Sequence, residues 1–570
     1  MQQLPIDRHR DSIEHAMRSS TRIILQGPTG SGKSTRVPPW VADQVGGKVL
    51  VLQPRRLAAR LLARRVADEQ GEALGERVGY QVRFENRTKS STQLIYCTEG
   101  ILLRMLVDDP ELSDVSAVVF DEFHERHIFT DVSLARLLKL QAGARKDLLL
   151  VVMSATLDLQ GLADRLAPCE TIAAEGRSYP VDVEYLPASA LTRKGRDVPV
   201  WDLAASALRQ ALAHGVEGDV LVFMPGGYEI RRTIEAIRGQ CRGNGLDVRA
   251  LYGDLSAEDQ DRALSGGAAR RVIVSTNIAE TSITIDGVRL VIDSGLARQS
   301  GFDPGHGINR LDMVSISQAS AEQRRGRAGR TAPGVCLRLW SEAQHRRRPE
   351  HDVPEIHRVE LSEVALGLKA SGETDLHAFP WFDPPSQAAV DQADQLLREL
   401  GATDDRGELN AMGKRLLRFP VHPRFGRMMV EASQRHCLRE VALVSALLQG
   451  RALIAHRAKG GANEQMARAE ELVLEHADPS DVEVLLRAYS FAHRNRFDAT
   501  TCQRLGIHGG AAREAGRLQK HFLSVAKRMG FEVNEVPASS EEVVRCLLTG
   551  LHHHTPKSWM NRETQESLTH

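Results

Sequence analysis

Eight residues near the N-terminus have the types and the spacing of a phosphate-binding loop. In order they are Gly27, Pro28, Thr29, Gly30, Ser31, Gly32, Lys33 and Ser34, in the pattern G-x-x-x-x-G-K-S. The short apolar run R-I-I-L-Q precedes the loop, and a helix is predicted from Thr35 onward. The glycines let backbone amides and the helix N-terminus face a polyphosphate. Lys33 can reach the outer phosphates and the Ser34 hydroxyl is a candidate magnesium ligand, so the loop predicts nucleotide binding.

An acidic pair, Asp121-Glu122, ends a later apolar run, Ser116–Phe120. Two adjacent carboxylates at the end of a buried strand are costly unless they have a use. Beside a phosphate loop, Asp121 can hold Mg²⁺ and Glu122 can orient and deprotonate an attacking water. The next strand is predicted to end in Ser154-Ala155-Thr156, whose hydroxyls can hydrogen-bond His124 and sense the state of the nucleotide.

Alternation of short β-branched runs with amphipathic stretches predicts an α/β fold with a parallel sheet flanked by helices. In residues 1–180 the helical stretch Leu57–Gln70 lies among these runs. The other predicted strands here are Lys48–Leu52, Gln93–Cys97 and Leu148–Met153. Residues 181–345 repeat the architecture without a phosphate loop. The strands predicted there are Asp219–Met224, Val248–Tyr252, Arg271–Ser275, Val288–Ile292 and Val335–Trp340.

The second unit ends in a cluster of arginines, Q-R-R-G-R-A-G-R, at residues 323–330. Arg327 and Arg330 are three residues apart and share one face if the segment is helical. Two guanidinium groups aimed at a γ-phosphate neutralise charge in the transition state, which is the role of arginine fingers. The cluster therefore predicts a nucleotide site that both units complete.

The bulk composition is that of a globular protein of roughly three to five domains. Of 570 residues, 42% are hydrophobic and 26% are charged, and the 74 basic residues balance the 74 acidic ones. Nucleic-acid binding must therefore come from local clusters of charge and not from the net charge. No apolar run is long enough for a membrane span. Seven scattered cysteines suit a reducing cytoplasm.

Several segments together resemble the DEAH/RHA branch of superfamily 2 helicases. They are the phosphate loop, Gln53–Arg56, Thr98–Gly100, Asp121–His124, Ser154–Thr156, Phe223–Gly226, Ser275–Ser282 and Gln323–Arg330. The family has Ala where Phe123 stands, and D-E-F-H followed by E-R-H is similar to the bacterial HrpB-type subgroup. The resemblance covers about residues 20–545. It implies two RecA-like parallel-sheet lobes, then a winged-helix domain at 346–423, a ratchet-like helical bundle at 424–549 and a tail at 550–570.

The resemblance also implies a role for each matching position. Catalysis falls to Lys33, Asp121, Glu122, Gln323, Arg327 and Arg330. The nucleotide is held by residues 27–34 together with Thr35, Arg65 and Asp286. Magnesium is held by Ser34, Asp121 and Glu122, and coupling uses His124, Ser154 and Thr156. Nucleic acid lies against Arg55, Arg56, Arg83, Thr98, Glu99, Thr276 and Asn277. A hairpin predicted within Ser294–Ser317, which contains Gly301, Gly305 and Gly307, lies close to the strand.

These implications predict an ATP-dependent RNA helicase or translocase that moves 3′-to-5′ on single-stranded RNA and uses Mg²⁺. A nucleotide-dependent RNA or RNP remodeller or clamp and a DNA helicase stay open as alternatives. The first alternative is open because relatives continue into an OB-like domain and this sequence ends at His570. A phosphotransferase is disfavoured, because it has no use for the second unit. We expect no membrane partner, leave an activator protein open, and favour a monomer. Leu264 stands near the aromatic position of the family that stacks on the nucleobase opposite Arg65, so we expect GTP, CTP and UTP to be accepted beside ATP.

Overall fold

A computed structural model describes residues 3–83, 85–155, 159–176, 179–193, 195–253, 255–281, 283, 285–303, 308–450, 452–454 and 481–551. These residues form two compact units. The first unit contains the described residues up to Phe302, Asn309–Val359 and Pro380–Pro385. The second contains Asp303, Ile308, Glu360–Phe379 and the described residues from Ser386 onward. The first unit holds both predicted α/β lobes.

The first lobe is built on an eight-stranded sheet in the spatial order β4-β3-β5-β2-β6-β7-β1-β8. Its strands are β1 (Arg22–Gln26), β2 (Lys48–Gln53), β3 (Val78–Val82), β4 (Glu85–Arg87), β5 (Leu94–Thr98), β6 (Val115–Phe120), β7 (Leu149–Ser154) and β8 (Glu170–Ala173). Neighbouring strands are parallel except for the edge strand β4, which is antiparallel to β3. The central strands are apolar throughout because helices cover both faces of a parallel sheet.

The described residues of this lobe form six α-helices. They are α1 (Arg10–Ser19), α2 (Lys33–Gln44), α3 (Arg56–Gln70), α4 (Glu99–Asp108), α5 (Ile128–Ala142) and α6 (Leu159–Leu166). The helix predicted from Thr35 begins at Lys33, two residues earlier, because Gly32 takes a left-handed conformation (φ 96°) and turns the chain into the helix.

The second lobe repeats the build with six parallel strands in the order β13-β14-β12-β15-β18-β9. They are β9 (Val181–Tyr185), β12 (Asp219–Phe223), β13 (Asp247–Leu251), β14 (Arg271–Ser275), β15 (Val288–Asp293) and β18 (Gly334–Arg338). Two ribbons stand apart from this sheet: β10 (Thr192–Arg193) with β11 (Arg196–Asp197), and β16 (Leu296–Asp303) with β17 (Ile308–Ser315). The second ribbon confirms the pairing of two strands within Ser294–Ser317, while residues 304–307, between these strands, lie outside the described residues.

The helices of the second lobe alternate with its strands. They are α7 (Ala188–Leu191), α8 (Val200–Ala213), α9 (Gly227–Gln240), α10 (Ala257–Leu264), α11 (Gln318–Arg325) and α12 (Glu342–Arg346). Since consecutive parallel strands need a crossover, this alternation brings the carboxyl ends of the strands to one edge of each sheet.

The second compact unit is helical. Its helices are α13 (Ser362–Ala370), α14 (Gln387–Glu399), α15 (Ala411–Arg418), α16 (Pro423–Gln434), α17 (Leu438–Gln449), α18 (Asp481–Arg494), α19 (Ala499–Gln503), α20 (Gly509–Arg528) and α21 (Ser540–Leu551). Helix α16 packs on α21, and α17 packs on α20.

The predicted tail starts two residues too early, because Gly550 and Leu551 still belong to α21, where the Gly550 carbonyl accepts a 2.8 Å hydrogen bond from Arg424. The rest of that tail lies outside the described residues. Among the described helices, none is both long and apolar enough to cross a bilayer.

Candidate functional site: a nucleotide site between two lobes

The phosphate loop joins β1 to α2 at the carboxyl edge of the first sheet. Gly30 and Gly32 have φ values of 86° and 96°, which residues with a Cβ rarely adopt. Lys33 is buried, and its Nζ donates to the carbonyls of Gly27 and, at 3.1 Å, Pro28. Burial lowers the pKa of Lys33, while the nearby carboxylates of Asp121 and Glu122 oppose that shift. The loop therefore presents a desolvated cation beside an anion-binding turn.

Asp121 follows β6 and lies beside the loop. Its carboxylate hydrogen-bonds the Ser34 hydroxyl and accepts a 2.6 Å bond from Gln53 Nε2 at the end of the neighbouring strand β2. Its other oxygen accepts the Glu122 amide at 2.9 Å. Burial, with the adjacent Glu122, raises the pKa of Asp121 to about 6. A carboxylate in that setting gains from a cation beside it.

Glu122 is buried and its backbone is left-handed, with φ 52°. For a residue with a Cβ this conformation costs about 1–2 kcal/mol, so the surrounding structure must hold it. Burial raises the pKa of Glu122, against the opposing charge of Lys33. A raised carboxyl pKa suits a general base that works near neutral pH.

His124 lies between the acidic pair and the end of β7. Its Nδ1 is 3.7 Å from Glu122 Oε2, 3.5 Å from Ser154 Oγ and 3.4 Å from the amide of Ala155. Burial lowers the pKa of His124. The structure thus brings His124 and Ser154 together, while Thr156, the third predicted coupling residue, lies outside the described residues.

The second lobe supplies two arginines to this site. Arg330 Nε lies 3.7 Å from the position that a Cβ on Gly30 would occupy, so Arg330 reaches the phosphate loop itself. Burial lowers the pKa of Arg330 to about 10, against the opposing charges of Glu122 and Asp286. Arg327 is buried, and its Nε donates to the Glu280 carbonyl at 2.7 Å. Its two terminal nitrogens donate to the carbonyls of Thr281 and Ile283.

Helix α11 ends at Arg325, so Arg327 and Arg330 lie in the turn after it and do not share a helical face. Arg324, three residues before Arg327, anchors the loop that Arg327 contacts. It is buried and pairs with Glu280 and Asp293, each at 2.8 Å, and its guanidinium stacks over the Phe223 ring. These carboxylates raise its pKa further. Breaking a buried pair of this kind costs about 3–5 kcal/mol. Arg324 is therefore a structural member of the arginine cluster.

Arg55 bridges the two lobes. It donates to the Asn277 carbonyl at 2.7 Å and to Thr281 Oγ1 at 3.2 Å in the second lobe, and pairs with Glu125 at 2.8 Å in the first. Arg55 and Asn277, both predicted to contact nucleic acid, are therefore brought together.

Glu99, another residue of that predicted set, belongs to a buried charge cluster. His127 lies between Glu99 and Glu125, at 3.5 and 3.4 Å. These carboxylates hold the pKa of His127 well above its usual range against the effect of burial. Glu99 also accepts a hydrogen bond from Thr130. The cluster ties α4 to the segment that follows the acidic pair.

The remaining predicted residues occupy several positions in the two lobes. Arg56 and Arg83 are exposed at the carboxyl ends of β2 and β3, and Thr98 and Thr276 are half-buried. Arg65, on α3, is half-exposed and pairs with Glu69 at 2.9 Å. Leu264 packs on the core of the second lobe. Gln323 is partly buried on α11, one residue before Arg324.

Sequence reasoning gave no role to Gln53, Glu125, Arg126 or Thr281. Their partners lie far along the chain: Gln53 is 68 residues from Asp121, and Thr281 is 156 residues from Glu125. The one available signal was position, since Glu125 and Arg126 directly follow the segment Asp121–His124.

The two lobes and the site between them define a two-lobed P-loop protein of the helicase class. Residues 7–164 match the DEAD/DEAH box helicase family and residues 204–332 match the helicase conserved C-terminal domain. Residues 395–421 match the winged-helix part of the helicase associated domain HA2, and residues 422–487 match its ratchet-like part. The chain belongs to the DEAH/RHA helicases, and the predicted fold class is confirmed.

Individual relatives support the same assignment. The chain is 39% identical over 453 residues to the ATP-dependent RNA helicase HrpB of Escherichia coli K12. That alignment covers 79% of this chain and 55% of the relative. It is 34% identical over 567 residues to the ATP-dependent RNA helicase HrpA of the same organism. That alignment covers 97% of this chain and 43% of the relative. It is 35% identical over 562 residues to the pre-mRNA-splicing factor prp22 of Schizosaccharomyces pombe. That alignment covers 96% of this chain and 47% of the relative.

A crystal structure of the E. coli DEAH/RHA helicase HrpB superposes with a TM-score of 0.76 at 33% identity, over 96% of this chain and 63% of that one. The chain thus spans about half the length of the curated relatives it matches.

Proposed function

We propose that this chain hydrolyses ATP between its two lobes and uses the reaction to move 3′-to-5′ along single-stranded RNA. The observation that carries the proposal is the approach of Arg330, from the second lobe, to Gly30 in the phosphate loop of the first. A nucleotide bound at that loop would contact both lobes, so its hydrolysis would change the contacts between them. The names of the relatives support RNA as the track.

In this proposal each side chain has a distinct role. Lys33 binds the outer phosphates, and Glu122 accepts the proton of the attacking water, which Gln323 helps to orient. Arg330 and Arg327 stabilise the charge that develops on the transferred phosphoryl group. Arginines of this kind contribute roughly 10³–10⁵ in rate in other nucleotide hydrolases.

Magnesium would be held by the Ser34 hydroxyl and the Asp121 carboxylate, with Glu122 as a further oxygen donor. Hard oxygen ligands are those Mg²⁺ prefers, and the hydrogen bond between Ser34 and Asp121 supports their joint use. The ion would supply charge neutralisation on the phosphates.

For the nucleic acid, we propose a path over Arg56, Arg83, Thr98 and Thr276, with Arg55 and Asn277 joining the lobes beneath it. Exposed arginines at the ends of strands suit contacts with phosphates. We also propose that Asp286 lies on the nucleotide side, which the effect of its charge on Arg330 supports, and that Arg65 stacks on the base.

The proposed domains are 1–180, 181–345, 346–423 and 424–551, followed by 552–570, with the last boundary moved from 549 to the end of α21. The HA2 matches on either side of residue 421 support the third boundary. We propose the cytoplasm as the compartment, where cysteines remain thiols, as the seven of this chain are.

The test measures steady-state turnover of ATP, GTP, CTP and UTP by the purified chain, alone and with single-stranded RNA or DNA of equal length. Duplexes with a 3′ or a 5′ overhang then report unwinding and its polarity. We expect stimulation by RNA, unwinding from the 3′ overhang, and turnover of all four nucleotides. No turnover with any nucleotide contradicts the hydrolase. Turnover and RNA binding without unwinding would make the chain a nucleotide-dependent clamp, and equal use of DNA would reject RNA specificity.

A further inference from the structure

The turn that carries Glu122 is held in a conformation that its own residues disfavour. Between β6 and α5 the chain passes through the short 3-10 turn Phe123–Glu125, which is flanked by left-handed residues, Glu122 at φ 52° and Arg126 at φ 50°. Neither is a glycine, so contacts from elsewhere must stabilise the turn. Those contacts come from Glu355, Phe382 and Asp383, which we call the clasp and which lie in the same compact unit.

Arg126 connects the turn to the clasp by charge. Its guanidinium binds the fully buried Asp131 at 2.8 and 3.0 Å, and donates to Asp383 Oδ2 at 3.0 Å. Asp383 is also 3.4 Å from His357 Nε2. Asp131 lies in the first turn of α5, so it fixes Arg126 to the helix, and Asp383 fixes the same group to the clasp.

Aromatic packing makes the second connection. The Phe123 ring is buried and meets the Phe382 ring edge-to-face, with centroids 5.3 Å apart. Arg126 and Arg165 each lie over the Phe382 ring, at 5.2 and 5.1 Å from its centroid. Arg165 also donates to the Phe382 carbonyl. Cation–π contacts gain strength when they are desolvated, as they are around this buried ring. Phe123, the residue that departs from the family pattern, thus has a specific partner.

Glu355 makes the third connection, through the backbone. Its amide donates to the Arg126 carbonyl at 3.0 Å, and its carboxylate accepts the Ile128 amide at 3.0 Å. Ile128 is the first residue of α5, so the carboxylate satisfies an unpaired donor at the positive end of that helix. Glu355 therefore holds both the left-handed Arg126 and the start of the helix.

We propose that Glu355, Phe382 and Asp383 are positioning residues for Glu122. The clasp fixes Phe123, Arg126 and Ile128, and thereby holds the turn that aims the Glu122 carboxylate at the attacking water. This inference rests on the proposed function for its catalytic consequence. It makes hydrolysis depend on residues more than 220 positions after Glu122, since Arg126 and Asp383 are 257 residues apart.

The test compares Phe382→Ala, Phe382→Leu and Asp383→Asn in the full chain by two measurements. The first is hydrogen exchange of the amides in residues 121–131, which needs no turnover. We expect faster exchange there in Phe382→Ala and Asp383→Asn, with other peptides of the first lobe unchanged and a smaller effect in Phe382→Leu, which keeps an apolar side chain. The second is steady-state kinetics. We expect kcat to fall about tenfold to a hundredfold, because small misplacements of a catalytic group have that effect, with KM nearly unchanged.

Two controls isolate the role of the clasp. Asp391→Asn removes an equivalent carboxylate from an exposed pair with His377 and should change neither measurement. Phe382→Ala should slow the reaction less in a Phe123→Ala background than in the unaltered chain, because part of the effect of Phe382 passes through Phe123 and the rest through Arg126. Unchanged exchange in residues 121–131 of Phe382→Ala overturns the inference, as does a loss that appears only in KM. If the unaltered chain hydrolyses no nucleotide, the proposed function fails, and the exchange result still decides whether the clasp orders the turn.

Discussion

Glu122 combines burial, a raised pKa and a position beside Lys33, which suits removal of a proton from water. Glu122→Gln keeps the shape of the side chain and removes its basicity. We expect kcat to fall by about 10²–10⁴, the usual contribution of a general base, while the dissociation constant of a fluorescent ATP analogue stays the same. Glu342→Gln, at an exposed ion pair with Arg346 on α12, is the matched control. Retained turnover in Glu122→Gln would remove Glu122 from the catalytic role.

Asp121 gives the reaction a dependence on pH and magnesium. Its pKa is about 6, so below that pH it is mostly protonated and cannot serve as a magnesium ligand. We expect kcat/KM to decline as the pH falls through 6, and the midpoint of this decline to move to lower pH as the Mg²⁺ concentration rises. A midpoint pH that does not change with the Mg²⁺ concentration would argue against Asp121 as the magnesium ligand.

Ionisation of the Asp121 carboxyl also changes the free energy of unfolding, in a direction that its raised pKa sets. The native carboxyl holds its proton to a pKa of about 6, whereas an unfolded aspartate releases it near 3.9. The native state therefore binds more protons between these values, and the free energy of unfolding falls as the pH rises through that window. Asp121→Asn should flatten this part of the profile of unfolding free energy against pH, measured by urea titration at each pH.

Lys33 and Asp121 were predicted from local signals, a glycine-rich turn and an acidic strand end. The structure places the two side chains close enough for the charge of each to act on the other, while their catalytic roles stay a prediction. The contacts of Arg55 were not predicted, because its partner Asn277 lies 222 residues away. A single sequence shows which side chains can form ion pairs but not which ones the fold brings together.

At the scale of elements, helix α3 of the first lobe and α10 of the second are joined by a small ionic latch. Buried Arg60 donates to Asp261 at 3.0 Å and to Gln260 at 3.1 Å, and half-exposed Arg64 meets Asp261 at 3.0 Å. Arg60→Ala leaves Gln260 and Asp261 without this donor. We expect the free energy of unfolding to drop by about 1–3 kcal/mol, read from the midpoint of urea unfolding.

Arg64→Ala is the natural comparison for the latch, since it removes an arginine from the same carboxylate at a site that is 47% exposed. Exposed ion pairs contribute little, so this change should stay within about 0.5 kcal/mol. Equal losses in the two variants would mean that the latch depends on charge alone and not on the burial of Arg60.

The strands that were predicted from the sequence are the most hydrophobic ones. The central strands β1, β2, β6 and β7 are apolar on both faces and were predicted within a residue or two. Strand β8, Glu170–Ala173, was not predicted because it is an edge strand with mostly exposed residues. Strand β9, Val181–Tyr185, is also an edge strand, and none of its residues is fully buried. Edge strands bury little, so their sequences carry little of the signal.

At the scale of the whole molecule, charge is balanced, with 74 basic and 74 acidic residues. A balanced chain has no global field to hold a polyanion, so binding must come from a few local contacts. Arg56 and Arg83, both exposed on the first lobe, are the proposed contacts. This distinguishes the chain from a generally basic binder, whose affinity survives the loss of any one arginine.

That difference is measurable in the salt dependence of RNA binding. For single strands the slope of log K against log salt is about −0.7 for each phosphate contact. Arg56→Ala and Arg83→Ala should each weaken binding uniformly across RNA sequences and make the slope shallower by about 0.7. Arg262→Ala, an arginine that is 72% exposed on α10, is the control and should leave the slope unchanged. An equal change in all three variants would mean that RNA responds to overall charge, and the proposed path across the first lobe would then be wrong.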